Sequence, residues 1–224
     1  MTKIIDLTIQ EKVYKNKKSN LSILNDFRLE VNSGERIAIV GKSGAGKTTL
    51  LNILGLLDRN YSGSYTLFGS KTNELNSSHL AKWRNQKIGF VLQESALINS
   101  LTIEENIKLP LLYAKSDKNR KSENFESIVD AIDIDTILKK KPFECSGGEK
   151  SRAIFARAVI MKPQLILCDE PTASLDGDNK ERIITLLFKM NHEFNATVIT
   201  VTHDSEVANR HKKIIRLARS MQET

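Results

Sequence analysis

Hydrophobic and polar positions follow two different periods along this chain. Near its start they alternate, with Phe27, Leu29 and Val31 separated by Arg28 and Glu30, which is the spacing of a half-buried strand. The first forty residues are therefore predicted to form β-structure.

Further along, short apolar runs bounded by glycine, proline or acidic residues predict buried strands, and segments of helical spacing lie between them. Thr102 and Glu105 have capping-box spacing, so one helix is expected to begin there and to stop before Pro110, with a polar, helical pattern onward to residue 137. The other predicted elements are strands at 37–40, 65–68, 88–92, 165–168 and 197–201 and helices at 48–54, 78–86, 147–158 and 179–190.

Strands that alternate with helices argue for a parallel sheet. The antiparallel-looking start and the helical middle fit that sheet less well. The predicted architecture is therefore an α/β core with a mainly parallel sheet, an antiparallel β edge subdomain and an inserted α-helical subdomain. We expect a single domain over residues 1–224, with a core lobe at 1–93 and 161–224 and a helical lobe at about 94–160.

Composition restricts the cellular setting. Two cysteines, Cys145 and Cys168, are too few for a disulfide framework and lack the CxxC spacing of a zinc site. Asp6 falls where a signal peptide needs an apolar run, and no apolar stretch approaches the roughly 18 residues that span a bilayer. We therefore expect a reduced, cytosolic protein that needs a separate membrane subunit for any role in transport.

The formal net charge is +7, with basic clusters at 115–121, 139–141 and 211–219. Such a balance can mark a partner such as nucleic acid or an anionic membrane surface. No aromatic residues interleave with these clusters, so a solvated basic surface is favoured. Nucleic acid is a weaker alternative and is not an expected partner.

Residues 41–48 match the pattern G-x-x-x-x-G-K-[ST] between a predicted strand and a predicted helix. Backbone N–H groups of such a loop turn toward phosphate oxygens, and the following helix offers the positive end of its dipole. Lys47 would bind the β- and γ-phosphates of a nucleotide, and the Thr48 hydroxyl would bind Mg²⁺. The motif predicts a P-loop NTPase core, and the expected nucleotide-binding residues are Gly41, Ser43, Gly44, Ala45, Gly46, Lys47, Thr48 and, directly after the motif, Thr49.

An apolar strand at 165–168 ends in two acidic residues. P-loop enzymes hold Mg²⁺ through a carboxylate delivered in this way, here Asp169. Glu170 is then placed to orient or deprotonate the attacking water. An apolar run that ends in two acids is by itself an ordinary strand end, and only its combination with the P-loop gives it meaning.

A P-loop alone could belong to a kinase, a GTPase or a helicase. The segment 145–152 (Cys-Ser-Gly-Gly-Glu-Lys-Ser-Arg) decides which class of P-loop protein this chain resembles. It resembles the LSGGQ signature of ABC-type ATPases, which a basic helix follows. Gln93 resembles the glutamine of their Q-loop, residues 174–176 resemble their D-loop, and His203 resembles their switch histidine. By these motifs, which extend over essentially the whole chain, the sequence is identified as a member of the ABC transporter ATPases.

This resemblance implies that ATP lies between the P-loop of one subunit and the signature of a second copy. Ser146, Gly147 and Gly148 would then bind the γ-phosphate in trans, because a serine N-cap followed by glycines lets an anion approach the helix start. The D-loop residue Asp176 would join the nucleotide site. A homodimer is therefore part of the predicted mechanism.

The resemblance also assigns individual roles in the nucleotide site. Tyr14 precedes the P-loop by the distance at which relatives carry an aromatic residue stacked on adenine; otherwise it would be an ordinary half-buried strand tyrosine. Gln93 would complete the metal site together with Thr48 and Asp169. The predicted catalytic residues are Glu170, His203, Gln93 and Lys47.

Segments 55–63, 84–91 and 105–113 resemble one branch of the family, the lipoprotein-release and macrolide-efflux type (LolD/MacB-like), which includes exporters of bacteriocins and antimicrobial peptides. In the signature, Cys145 stands in place of leucine, Glu149 in place of glutamine and Ser151 in place of a second glutamine. Residues 173–174 lack the Gly-Asn of the branch, and 218–220 lack its Asp-Gly turn.

The predicted function is that of an ATP-hydrolysing subunit, peripheral on the inner face of a bacterial cell membrane. It would power a separate integral-membrane permease that exports or extracts an amphiphilic peptide, lipoprotein or antimicrobial. One alternative is a regulatory ABC ATPase of the cell-division FtsE type, and another is an ABC ATPase that acts on DNA or ribosomes. Residues 97–101 could form the groove for the permease, or equally pack inside the helical lobe.

Overall fold

The computed structural model describes residues 2–16, 19–92, 97–114, 118–173 and 175–218. Three 3₁₀ turns accompany the regular elements in this part of the chain, at Thr72–Glu74, Asp135–Ile137 and Pro142–Glu144. The strands and helices, in chain order, are β1 (Lys3–Asn16), β2 (Ser19–Asn32), β3 (Arg36–Val40), α1 (Lys47–Leu54), β4 (Ser62–Leu67), β5 (Ser70–Lys71), α2 (Ser77–Gln86), β6 (Ile88–Val91), α3 (Ile103–Leu112), α4 (Lys118–Ile132), α5 (Gly147–Val159), β7 (Leu165–Asp169), α6 (Gly177–Phe194), β8 (Thr197–Val201), α7 (Ser205–Asn209) and β9 (Lys213–Arg216).

The first part of the chain forms an antiparallel sheet with the strand order β2-β1-β4-β5. Leu7 of β1 is opposite Leu29 of β2 on one side and Tyr65 of β4 on the other, and all three side chains are buried. Arg28 and Glu30 are exposed, as the two-residue period predicts. This sheet is the predicted β edge subdomain.

The second sheet has five strands in the order β6-β7-β8-β3-β9, and every neighbouring pair in it is parallel. Its strands β3, β6, β7 and β8 consist almost entirely of buried residues, which is expected for a sheet covered on both faces. Parallel strands present their carboxyl ends at one edge, so the residues that follow β3, β7 and β8 meet there.

Two hydrophobic cores lie on opposite faces of the parallel sheet. Strand β7 shows why: Leu165 and Leu167 belong to the core beneath the antiparallel sheet and α1, whereas Ile166 and Cys168 belong to the core beneath α3 to α6. Successive side chains of a strand point to opposite faces, so one apolar run supplies both cores. The carboxyl end of β7 is thereby held from both sides.

Helix α3 begins where its capping box predicts, because the Thr102 side chain accepts from the Glu105 backbone N–H and the Glu105 carboxylate accepts from the Thr102 backbone N–H. The prediction that this helix stops before Pro110 is wrong, since it continues to Leu112. A proline in the last turn removes only one helical hydrogen bond, and burial of Leu111 in the core keeps the turn in place.

The predicted fold class is confirmed: a P-loop α/β core carries a parallel sheet, an antiparallel β edge and helices that follow residue 97. In the described part of the chain, every helix is too short or too polar to cross a lipid bilayer.

Candidate functional site

The loop between β3 and α1 has the backbone that a phosphate-binding loop requires. Gly46 caps α1 with φ 87, a left-handed conformation that favours glycine. A Cβ atom on Gly46 would also lie 2.8 Å from Ile23 Cγ2. Lys47 Nζ donates to the carbonyl oxygens of Gly41 at 2.8 Å and Lys42 at 3.2 Å. The lysine ammonium therefore lies folded over its own loop.

Helix α1 and strand β7 meet through one side-chain contact. Thr48 Oγ1 donates to Asp169 Oδ2 at 3.1 Å, although the two residues are far apart in the chain. Burial raises the pKa of Asp169, and the nearby Glu170 carboxylate raises it further, while the hydrogen bond from Thr48 and the charge of Lys47 oppose that rise. A half-buried carboxylate whose charged form is disfavoured gains from a cation placed beside it.

Glu170 follows Asp169 with φ 47, so the chain turns sharply at the end of β7. Its backbone N–H donates to the Val201 carbonyl, and Thr202 Oγ1 donates to Glu170 Oε2 at 3.1 Å. The other carboxylate oxygen lies 2.8 Å from His203 Nδ1. The Glu170 side chain is 13% exposed and that of His203 is 71% exposed, so the carboxylate is held in place while the imidazole remains accessible.

The predicted signature forms the start of α5. Ser146 caps this helix, because its side chain accepts from the Glu149 backbone N–H at 3.2 Å and its own N–H donates to the Glu149 carboxylate at 2.7 Å. The glutamate that replaces the usual glutamine therefore completes a capping box. Gly147 has open space around its Cα, as an approaching ligand or partner would need.

Asp176 caps α6, since its carboxylate accepts from the Asn179 backbone N–H at 2.9 Å. The amide nitrogen of Asn179 donates to the same carboxylate, and Arg152 of α5 donates to the amide oxygen of Asn179 at 3.5 Å. Asn179 therefore connects the predicted D-loop with the predicted signature helix. These residues form a second group, distinct from the group around the P-loop.

Tyr14 lies on β1 with 44% of its surface exposed. Its hydroxyl is 3.5 Å from Thr49 Oγ1 of α1 and donates to Asp58 Oδ2 at 3.4 Å. The ring thus stands beside the helix that begins at the phosphate loop, where a base attached to a bound triphosphate could reach it.

Comparison with known proteins gives the chain its family. The family described as ABC transporter matches residues 24–173. The chain belongs to the ABC transporter family.

Two relatives of this ABC family member are similar over nearly their whole length. The lipoprotein-releasing system ATP-binding protein LolD of Francisella tularensis is 39% identical over 207 residues, which is 92% of this chain and 90% of LolD. The bacitracin export ATP-binding protein BceA of Halalkalibacterium halodurans is 37% identical, over 95% of this chain and 84% of BceA.

Another relative is the macrolide export ATP-binding/permease protein MacB of Mannheimia succiniciproducens, which is 36% identical over 96% of this chain. The chain spans only 33% of MacB.

Solved structures of ABC cassettes have the same fold. A dimeric post-hydrolysis state of the cassette MJ0796 bound to ADP and Pi has a TM-score of 0.88 and 36% identity, covering 99% of this chain and 97% of that one. A second dimeric structure of MJ0796 has a TM-score of 0.87 and 37% identity. The predicted family and the predicted enzyme class, an ABC-type ATPase, are confirmed.

In this ABC cassette the predicted site residues fall into two groups, and contacts join the residues within each group. The P-loop, Asp169, Glu170 and His203 meet at the carboxyl edge of the parallel sheet, and Ser146 to Gly148 meet Asp176 through Asn179. Gln93 and the D-loop serine Ser174 lie outside the described residues.

Four residues with contacts in these groups were not predicted from the sequence: Lys12, Asp58, Thr202 and Asn179. Thr202 could have been found, because it stands directly before the switch histidine at the end of an apolar strand. Lys12 carried a weaker signal, a charge two positions from Tyr14 and so on the same face of β1. Asp58 and Asn179 depend on contacts between distant segments.

Proposed function

We propose that two copies of this ABC cassette close over two molecules of Mg·ATP and hydrolyse them to drive a membrane permease. One observation carries the proposal: the contact between Thr48 and Asp169 joins the phosphate loop to the strand end that also presents Glu170 and His203. Phosphate binding, metal binding and activation of water are thereby possible at one edge of the sheet.

Mg²⁺ would be held by Thr48, Asp169 and Gln93. The donor set fits this ion, because Mg²⁺ prefers hard oxygen ligands and keeps several waters. The raised pKa of Asp169, caused chiefly by burial, supports the same assignment, since a bound cation would offset that cost. The ion would neutralise charge that develops on the β- and γ-phosphate oxygens.

Lys47 would bind the β- and γ-phosphates, and the backbone from Gly41 to Thr49 would surround them. Glu170 would orient or deprotonate the attacking water, and His203 would contact the γ-phosphate with its exposed imidazole. Tyr14 would stack on adenine. Because little covalent chemistry is required of the protein, such catalysis depends mainly on positioning and on electrostatic stabilisation.

The second group of residues supports a dimer. Ser146, Gly147 and Gly148 at the start of α5, with Asp176 beside them, would bind the γ-phosphate held by the other copy. MJ0796, whose two structures are dimeric cassettes, has a fold very similar to that of this chain. We further propose the predicted division of the domain into a core lobe at 1–93 and 161–224 and a helical lobe at about 94–160.

The permease would bind at a groove next to α2 rather than at residues 97–101. Leu97 is only 7% exposed and belongs to the core beneath α3 to α6, so this residue packs internally, whereas Ile98 next to it is 45% exposed. The groove has a volume of about 790 Å³ and is lined by Leu57, Phe90 and Tyr113, of which Leu57 and Tyr113 are exposed. Arg84 and Lys82 add charge to it. An amphipathic cytoplasmic helix would match such a surface.

LolD belongs to a lipoprotein-releasing system and BceA to bacitracin export, as their names state. We propose by analogy that the permease partner of this chain exports or extracts an amphiphilic peptide, lipoprotein or antimicrobial, with the cassette on the inner face of the cell membrane.

The decisive experiment is Glu170→Gln. This variant should bind ATP as the wild type does, hydrolyse it about 10² to 10⁴ times more slowly, and accumulate as an ATP-bound dimer in size-exclusion chromatography. Glu181→Gln is the matched control, because Glu181 of α6 forms an exposed ion pair with Arg210, which follows α7. Near-normal turnover of Glu170→Gln would show that another group activates the water.

A further inference from the structure

Lys12 is an unusually buried charged residue. Its side chain is 1% exposed, although an ammonium group is strongly disfavoured away from water unless its charge is compensated. Lys12 lies on β1 two positions before Tyr14, and the pairing register between β1 and β2 shifts between Lys12 and Val13. The proposed roles of the site residues do not use this buried cation.

The charge of Lys12 is compensated by the segment that follows α1. Lys12 Nζ lies 2.7 Å from Asp58 Oδ2 and donates to the Asn60 carbonyl oxygen at 2.7 Å. Burial disfavours the charged carboxylate of Asp58, but hydrogen bonds from Lys12 and from the Asn60 backbone N–H outweigh this effect and lower its pKa. The Asp58 carboxylate is therefore ionised at neutral pH.

The same ammonium lies against the ring of Tyr14. Lys12 Nζ is 4.6 Å from the Tyr14 ring centroid, within the range of a cation–π contact. The Tyr14 hydroxyl donates to Asp58 at 3.4 Å, so the ion pair contacts both the ring face and the hydroxyl of this tyrosine. The ring nevertheless remains 44% exposed.

We propose that Lys12 is a positioning residue for adenine binding: its ammonium, held by Asp58 against one face of Tyr14, fixes the ring so that the opposite face receives the base. A ring fixed before the ligand arrives loses less conformational freedom on binding. The inference rests on the proposed binding of ATP with Tyr14 stacked on adenine.

A purely structural ion pair, which only ties β1 to residues 58–60, predicts a different result. Loss of such a pair would disturb every ligand of the neighbouring phosphate loop alike. A positioning role concerns the base alone. Comparing ATP with inorganic tripolyphosphate, which has no base, separates the two.

The experiment measures the dissociation constants of ATP and of inorganic tripolyphosphate with Mg²⁺ by titration calorimetry. Lys12→Met should weaken ATP binding about tenfold and leave tripolyphosphate binding within about twofold of the wild type. Lys12→Arg, which keeps a cation, should restore ATP binding to within about threefold. Lys3→Met is the matched control, because Lys3 is also on β1, forms an exposed ion pair with Glu30 of β2, and should change neither constant.

Two further variants test whether the effect of Lys12 passes through the Tyr14 ring. In a Tyr14→Ala background, Lys12→Met should have no further effect on ATP binding, since the ring on which the ammonium acts is gone. Lys12→Met/Asp58→Asn removes both charges and should show the same selective loss, which guards against misfolding caused by an unpaired Asp58.

Equal weakening of ATP and tripolyphosphate, or unchanged ATP binding in Lys12→Met, would overturn the inference. Failure of the wild type to bind ATP would instead contradict the proposed function itself.

Discussion

At Gly148 the first turn of α5 comes so close to Asn179 that no side chain fits between them. A Cβ atom on Gly148 would lie 2.5 Å from Asn179 Oδ1. Asn179 is not free to move aside, because its amide nitrogen donates to both carboxylate oxygens of Asp176, at 2.9 and 3.1 Å. Its amide oxygen accepts from Arg152, which lies on α5 like Gly148. One asparagine therefore fixes the relative positions of the predicted signature and D-loop.

Gly148→Ala should lower the free energy of unfolding by about 1–3 kcal/mol, because the added methyl group forces Asn179 away from Asp176. This loss should appear although alanine normally favours a helix over glycine by about 0.5–1 kcal/mol. Urea denaturation measures it. Gly147→Ala is the matched control, since nothing lies within 4 Å of a Cβ at that position. The cost should disappear when Asn179 is already alanine, and equal stability of the two glycine variants would contradict the clash.

At the scale of elements, helix α3 and the loop before it are held together by one buried side chain. Asn106 is 0% exposed, and its amide oxygen accepts from the Ile98 backbone N–H at 2.7 Å. Its amide nitrogen donates to the carbonyl oxygens of Ile98, Leu101 and Thr102. The loop that leads into α3 therefore takes its shape from a residue inside the helix.

Asn106→Leu should lower the free energy of unfolding by about 2–4 kcal/mol, because it removes four side-chain hydrogen bonds and leaves the Ile98 backbone N–H without its acceptor. Asn106→Asp keeps the acceptor for Ile98 but loses the donor bonds, and it too should be destabilised. Thermal unfolding followed by circular dichroism measures both. Asn99→Leu, an exposed position in the same loop, should melt like the wild type. If Asn106→Leu also melted at the temperature of the wild type, the Asn106 hydrogen bonds would contribute little to stability.

The sequence predicts best those strands and helices whose own residues show a local pattern of hydrophobic, polar or capping positions. The buried run of β7, the alternation in β2 and the capping box of α3 are local patterns, and the structure contains all three. The prediction at Pro110 was wrong because packing of the turn that contains Leu111 outweighs the cost of a proline in the helix. Leu97 is apolar in either setting, so only the three-dimensional contacts show that it packs inward.

The candidate site was predictable for a related reason. The P-loop, the paired acids and the signature are contiguous segments with recognisable spacing, and the structure brings Thr48 to Asp169 and Glu170 to His203. The catalytic and binding roles of these residues stay predictions. Lys12 with Asp58 and Gly148 with Asn179 escape sequence reasoning, because each pair joins segments far apart in the chain.

At the scale of the whole molecule, the cassette has one group of residues that would bind and cleave ATP and another group that would act on the ATP of a second copy. In the proposed dimer, each nucleotide site is complete only when the two copies close. In that proposal, the closing motion would act on the permease through a contact surface that belongs to neither group. The groove beside α2 is such a surface, because Leu57 and Tyr113, which line it, have no proposed role in the nucleotide site.

Tyr113→Glu should therefore abolish binding to the proposed permease subunit while leaving the ATPase activity of the isolated cassette unchanged. Tyr113 is 78% exposed, so a charge there is tolerated by the fold but is disfavoured against an apolar face of a partner helix. Co-purification of the two subunits from detergent measures binding. Ile214→Glu, at 37% exposure on β9, is the control and should leave binding intact. Retained binding in Tyr113→Glu would place the permease contact elsewhere on the cassette.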